Sequence, residues 1–360
     1  MNINSIYYDA INLLRNLIMI PSFSREEFKA ANYLEEYLKI IKLKPYRSGN
    51  NIWLKSPEWD DSKETVLLNS HIDTVKPVTG WTRRPFSPKE IDGMLYGLGS
   101  NDAGASLVSL LFTFIRLTER NQPCNFIFLA SAEEEVSGSN GIVSVLPLLG
   151  NINCAIVGEP TGMQPAVSEK GLIVIDAIVT GKSGHAALNE GENAIYNALN
   201  HIEWFRTKHF KKIGHMSGEV KMNVTMINAG SQHNVIPDEC GFTVDVRTNE
   251  CYSNKEIFDE IAAECGCDVY ARSFKLNSSS ISMEHPLVKR AVSLGITPFA
   301  SQTLSDMALM PFPAIKIGPG YSARSHTANE FVYLQEIKEA IDIYFNLLNN
   351  IYCYNFVPLN

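Results

Sequence analysis

No window of the 360-residue sequence approaches ~18 uninterrupted apolar residues, which disfavours a membrane-spanning helix. The stretch Met1–Pro21 has no basic lead before its apolar residues, and Asp9 and Asn12 interrupt them, so a secretory signal is not expected. Basic clusters are missing too. With a net charge of -8 and no cationic footprint for phosphates, a nucleic-acid partner is disfavoured. The seven cysteines (Cys124, Cys154, Cys240, Cys251, Cys265, Cys267, Cys353) are odd in number and contain no CxxC pair. That argues against a zinc ribbon or thioredoxin-like motif and for reduced thiols in a cytoplasmic protein.

Several familiar catalytic signatures are also lacking. Gly99–Ser106 resembles a phosphate-binding loop, but Ala105 stands where that loop needs lysine. Gly97-Leu98-Gly99 has Asp102 where a dinucleotide fingerprint needs its third glycine. Neither GxSxG nor HExxH occurs. No nucleophile–histidine arrangement presents itself for a serine or cysteine amidase. His201, His209, His215, His233 and His285 lack a ligand-like setting and read as surface or core histidines.

What is present is an ordinary globular composition, 45% apolar, in a chain long enough for two domains. Ser24 with Glu27 forms a capping-box pattern before Phe28, Leu34, Leu38 and Ile41, which recur at helical spacing. Apolar strands are expected at Thr65–Ser70, Asn125–Ala130 and Ala155–Val157, with an apolar helix over Ala105–Leu117. Strands alternating with helices imply an α/β layer with a mainly parallel sheet. The middle reads strand Gly171–Thr180, helix Glu192–Lys208, strands Lys221–Ile227 and Gly241–Val246, helix Asn254–Glu264, strand Asp268–Leu276. That βαββαβ order is ferredoxin-like. The α/β pattern then resumes with strand Ala314–Ile317 and a helix from Leu334 to about Ile351. The expected organisation is therefore a catalytic domain of residues 1–170 and 279–360, with an inserted α+β domain at 171–278.

Acids and histidines stand where strands end. They lie in Ser70-His71-Ile72-Asp73, in the glycine-rich turn around Asp102, in Glu133-Glu134-Glu135, in Gly158-Glu159-Pro160-Thr161, and in the Ser325–Glu330 loop with its His326. Ligands of open α/β sheets bind beyond the carboxyl ends of strands, so these segments can converge. Residues two apart in an extended chain share a face, which would let Asp73 orient the His71 ring. Imidazoles and carboxylates suit a divalent metal, and two bridged ions can activate water and hold a substrate oxygen.

Together these segments resemble the metallopeptidase family of acetylornithine deacetylase, succinyl-diaminopimelate desuccinylase, aminoacylase and glutamate carboxypeptidase. The resemblance runs in the same order from His71 to Glu330. It implies that His71 and Glu159 bind one metal, Glu135 and His326 the other, and that Asp102 bridges. It also implies Asp73 as support for His71 and Glu134 as general base. Glu133 stands where the family usually has Asp. The inserted segment resembles the family's lid and dimerisation domain. His185 in Gly181–Ala187 would donate to the scissile carbonyl oxygen, commonly from a neighbouring subunit. Asn234 and Arg247 match its NxxP and DxR segments, and Arg247 would grip an α-carboxylate unless it simply pairs with Asp245. Gly318 and Gly320 match a substrate-contacting loop.

The implied cofactor is two divalent ions, zinc first, with cobalt or manganese as alternatives. The implied partner is a second copy of the chain, joined through the inserted domain, and the implied site is cytoplasmic. The implied reaction is metal-dependent deacylation of a small N-acyl amino acid. N-acetylornithine, hydrolysed to ornithine and acetate as in arginine biosynthesis, is the leading substrate. N-succinylornithine, N-acylcitrulline and succinyl-diaminopimelate stay open as alternatives, followed by small peptides or a non-catalytic metal-binding role. Asp306 and Glu190 are candidates for reading the substrate side chain.

Overall fold

A computed structural model describes residues 3–188 and 190–352. The chain divides into two compact units. One comprises residues up to 167, 281–299 and from 305 onward; the other comprises 168–280 with 300–304. None of the described helices is long and apolar enough to cross a membrane.

The first unit is built on Thr65–His71, a strand buried at all seven positions. Such a run, without polar alternation, is what a strand covered on both faces requires. It pairs in parallel with Asn125–Ser131, in register from Thr65↔Asn125 to His71↔Ser131, and on its other side with Cys154–Val157. Ala314–Lys316 adds a further parallel strand. Asn51–Lys55 runs antiparallel beyond Asn125–Ser131. One face carries the helix Ala105–Thr118, buried except at Arg116 and Thr118. A helix apolar all round must be enclosed. Ile3–Ile18 and Leu334–Leu348 enclose it. The other face carries Ile142–Leu149, packed with Trp53, Leu67, Ile127 and Leu129. The result is an α/β unit with a mainly parallel central sheet, as the sequence indicates.

In the second unit the strand order is Lys221–Ala229, Glu239–Thr248, Gly171–Thr180, Asp268–Ala271, antiparallel throughout. Gly171–Thr180 alternates buried and part-exposed residues. Its buried Ile173, Ile175, Ala177 and Val179 pack with Ala198 and Phe205 of helix Ala194–Thr207 and with Ile257 and Ile261 of helix Asn254–Glu264. One covered face and one open face is the expected pattern for such a sheet.

Two local expectations fail. Ser24 and Glu27 do not form a capping box, and the helix Phe28–Ile40 starts without a side-chain cap. Ser24 Oγ donates instead to Asp73, and Glu27 accepts amides from Arg25 and Glu133. The strand expected to reach Leu276 stops at Ala271. Beyond it the Leu276 carbonyl accepts from the Leu172 amide and from Asn254 Nδ2, so this stretch braces a helix start.

Candidate metal centre

Three parallel strands of the first unit, and one turn before a helix, supply the polar side chains of the cluster. His71 closes its strand. Glu134 and Glu135 occupy one tight helical turn, Glu134–Val136, just after Asn125–Ser131. Glu159 follows Cys154–Val157 by two residues. Asp102 sits in the turn Ser100–Gly104 that leads into the buried helix.

Asp102 faces two partners at once. Its Oδ1 lies 3.3 Å from His71 Nε2, and its Oδ2 lies 3.5 Å from His326 Nε2. His71 Nε2 is also 3.5 Å from Glu159 Oε1, and His326 Nε2 is 3.0 Å from Glu135 Oε2. Two imidazole–carboxylate pairs thus flank one carboxylate. Glu134 Oε2 stands 4.0 Å from His71 Nε2. Donor atoms of His71, Glu134 and Glu159, and likewise of His71, Asp102 and Glu135, lie close enough together to share an ion.

The electrostatics favour a cation at this place. Burial, with the neighbouring carboxylates, pushes Glu134 and Glu159 well above the usual carboxylate range despite the pull of His71. Burial pulls His71 down, but hydrogen bonds to Asp102 and Asp73 and the charges of Glu159 and Glu134 hold it well above its ordinary value. The Glu135 hydrogen bond raises His326 to about 9. Four carboxylates crowded on two imidazoles are costly without a compensating cation. Glu135 Oε1 is, in addition, buried with no hydrogen-bond partner. The donor set fits two divalent ions.

Asp73 lies beside the His71 ring and does more than orient it. The His71 Nδ1–H donates to the Asp73 main-chain carbonyl at 2.9 Å, while the nearest carboxylate oxygen is 3.5 Å away. That bond turns the Nε2 lone pair toward the cluster. The Asp73 carboxylate accepts the amides of Glu134 at 3.0 Å and Glu135 at 3.2 Å, with Ser24 Oγ at 2.7 Å. It therefore aims the pair of glutamates. Glu133, in the left-handed region at φ 54°, accepts from the Asn140 amide and side chain. A Cβ on Gly138 would collide with it. Asp306 is buried, accepts from Asn69 and Ser131 on one oxygen, and is pushed up to about 6 by burial. Ser24, Glu27 and Asp306 have no motif that announces these contacts.

The remaining sequence candidates have separate settings. In the second unit His185 pairs with Val235 across a short antiparallel ladder, and the Asn234 carbonyl accepts the Ala186 amide, so His185 and Asn234 are neighbours. Arg247 binds Asp245 through Nε at 2.7 Å and Nη2 at 3.0 Å. Gly318 and Gly320 belong to the first unit. A side chain at Gly318 would strike Ser106 and the Glu159 backbone, and one at Gly320 would strike Asn101. Gly318 N–H donates to Thr161 Oγ1 at 3.1 Å, tying this loop to the Glu159 segment.

Comparison with known proteins shows the family and the fold. The model of "Peptidase family M20/M25/M40" matches residues 67–350. Acetylornithine deacetylase of Proteus mirabilis is 26% identical, over 94% of this chain and 96% of its own length. A probable succinyl-diaminopimelate desuccinylase of Staphylococcus aureus is also 26% identical, over 83% and 82%. Among solved structures, the Bacillus subtilis YXEP protein, described as a dinuclear metal binding peptidase, matches with a TM-score of 0.72 at 17% identity. That match covers 97% of this chain and all of the other.

Proposed function

Because the chain belongs to peptidase family M20/M25/M40 and is a hydrolase of that family, we propose that it deacylates a small N-acyl amino acid, with N-acetylornithine the leading substrate. The observation that carries the reading is Asp102, with one oxygen toward the His71–Glu159 pair and the other toward the His326–Glu135 pair. In this reading His71 and Glu159 hold one divalent ion, Glu135 and His326 hold the other, and Asp102 is shared. Zinc is the first choice, with cobalt or manganese compatible with the same donors. When bound, such ions supply Lewis acidity to the amide carbonyl and the attacking water.

The chain's own groups do the rest. Glu134 takes the proton that water loses and passes it to the leaving nitrogen, so amide and water become carboxylate and amine. Glu134 Oε2 stands 4.0 Å from His71 Nε2, at the edge of the cluster where such a transfer takes place. Asp73 keeps Glu134 in line through its amide. His185 is assigned to the oxyanion, and Arg247 with Asn234 to the α-carboxylate, Arg247 exchanging part of its Asp245 pairing for the ligand. Gly318 and Gly320 are assigned to the substrate loop.

The deacetylase relative, matched over nearly the full length of both chains, supports an acyl group on an amino acid. Of the six described cysteines, Cys124, Cys154, Cys240 and Cys265 are buried, the setting of reduced thiols in a cytoplasmic protein. A homodimer joined through the second unit completes the proposal.

The test is kcat/KM of purified, metal-loaded protein on N-acetylornithine, N-succinylornithine, N-acetylcitrulline and N-succinyl-diaminopimelate. N-acetylornithine is expected to lead, because a pocket built for one polar end rejects an analogue lacking it by ~10⁴-fold or more. A tenfold or greater advantage for a succinylated or citrulline compound replaces the substrate and leaves deacylation standing. Inertness toward all four, with short peptides cleaved, overturns the deacylase reading in favour of a peptidase.

A further inference from the structure

Glu330 lies four residues beyond His326 and is only 2% exposed. Its Oε2 accepts the Gly99 amide at 2.9 Å, and Oε1 accepts the amides of Asn101 at 2.8 Å and Asp102 at 2.9 Å. Its main-chain carbonyl accepts the Gly97 amide at 3.0 Å. One residue thus grips the turn at both ends, using donors that would otherwise be buried unsatisfied. Asn101 ties the same two segments in the opposite direction. Its Nδ2 donates to the Tyr321 carbonyl at 3.2 Å and to Ser325 Oγ at 3.1 Å, and its Oδ1 accepts the Tyr321 amide at 3.1 Å.

We propose that Glu330 is a positioning residue of the metal centre: it locks the Asp102 turn to the His326 loop, so that Asp102 presents one oxygen to each imidazole–carboxylate pair. The assignment rests on the metal-centre reading above. A carboxylate that served folding alone would hold the chain together without deciding where the Asp102 oxygens fall. A group that orients a shared ligand governs affinity for both ions, because small displacements spoil both coordination spheres. Removing such a supporting partner costs roughly 10–100-fold in metal affinity.

The test uses the full chain stripped of metal and titrated with cobalt(II) against a competing chelator, with the visible cobalt spectrum recorded. Wild type is expected to take two ions per chain. Glu330→Gln keeps the size but loses the charge and turns an amide N–H toward a backbone N–H. It is expected to bind both ions roughly 10–100-fold more weakly, with a shifted cobalt spectrum. Affinities and spectrum equal to wild type, even alongside a lowered Tm of the metal-free protein, overturn the assignment and leave Glu330 a folding residue. Should Glu330→Gln fail to fold, Asn101→Ala leaves the three amide donors in place and cuts the tie to Tyr321 and Ser325. It is expected to weaken binding in the same direction by a smaller factor, and unchanged binding there is equally decisive against the proposal. Wild-type protein that takes up no stoichiometric cobalt overturns the metal centre itself, and this assignment with it.

Discussion

Glu134 and Asp102 stand side by side in the cluster, yet their substitution should read out in different ways. Glu134 has no imidazole closer than 4.0 Å and is assigned to carrying a proton. Glu134→Gln should keep both metals, by elemental analysis, and lose about 10²–10⁴-fold in turnover. Near-normal turnover in the metal-replete variant would remove Glu134 from the mechanism. Asp102→Ala, by contrast, should lower metal content itself, because Asp102 faces both pairs. His71, Glu134, Glu135 and Glu159 were legible because each stands at or just after the end of a buried apolar strand. Asp73 was legible as a neighbour of the His71 ring, whereas its bonds to the Glu134 and Glu135 amides were not. Glu330 and Ser24 act through backbone amides or through another carboxylate, contacts that no spacing in the sequence encodes.

At the scale of elements, what could be read was set by how far an element's reasons are local. Gly171–Thr180 and Asn254–Glu264 fall within the bounds their patterns predict, since alternation or a Ser253–Glu256 capping box lies within each segment. The helix Ile3–Ile18 escaped notice although Ile6, Ala10, Leu13, Leu14 and Ile18 line one buried face. The short strand Met94–Tyr96 pairs with Lys89–Ile91 on one side and with Phe331–Tyr333, more than two hundred residues away, on the other, and no local pattern signals the second pairing. His285, read from sequence as a surface or core histidine, is buried and caps the helix Pro286–Ser293 by accepting the Leu287 amide on Nδ1. The cap needs a neutral ring, and burial lowers its pKa to about 4. The folded value lies below the unfolded ~6.5, so the unfolded chain binds the proton first and stability falls as pH drops from about 6.5 toward 4. His285→Asn retains a capping oxygen and does not titrate. Urea unfolding at pH 7 and pH 4.5 should show wild type losing roughly 1–2 kcal/mol more than the variant, a figure discounted for water reaching part of the ring. Parallel losses would remove His285 as the titrating group.

At the scale of the whole molecule, the second unit leaves a surface that a solitary chain would expose to water. Tyr196 is 69% exposed, with Leu199 beside it on the helix Ala194–Thr207. Lys221–Ala229 is an edge strand carrying Met226, 64% exposed, and Ile227. A long apolar edge with unpaired main-chain groups is a template for a second strand. Two copies related by a two-fold axis pair such an edge with itself, each supplying what the other lacks. The chain should therefore sediment as a dimer, and Leu199→Glu with Ile227→Lys should yield monomers whose metal content is unchanged. A wild-type monomer at micromolar concentration would end the dimer reading. The dimer also bears on His185, which belongs to this unit while the metal ligands belong to the other. His185→Ala and Glu134→Gln proteins should each be nearly inactive, since one loses the oxyanion donor and the other the base. If His185 serves its partner's site, a mixed dimer contains one site with both groups intact and another lacking both. Exchanging subunits between the two inactive proteins should then restore activity in proportion to the mixed dimers formed. If His185 serves its own chain, every site in the mixture lacks one group, and verified exchange without recovery is the result.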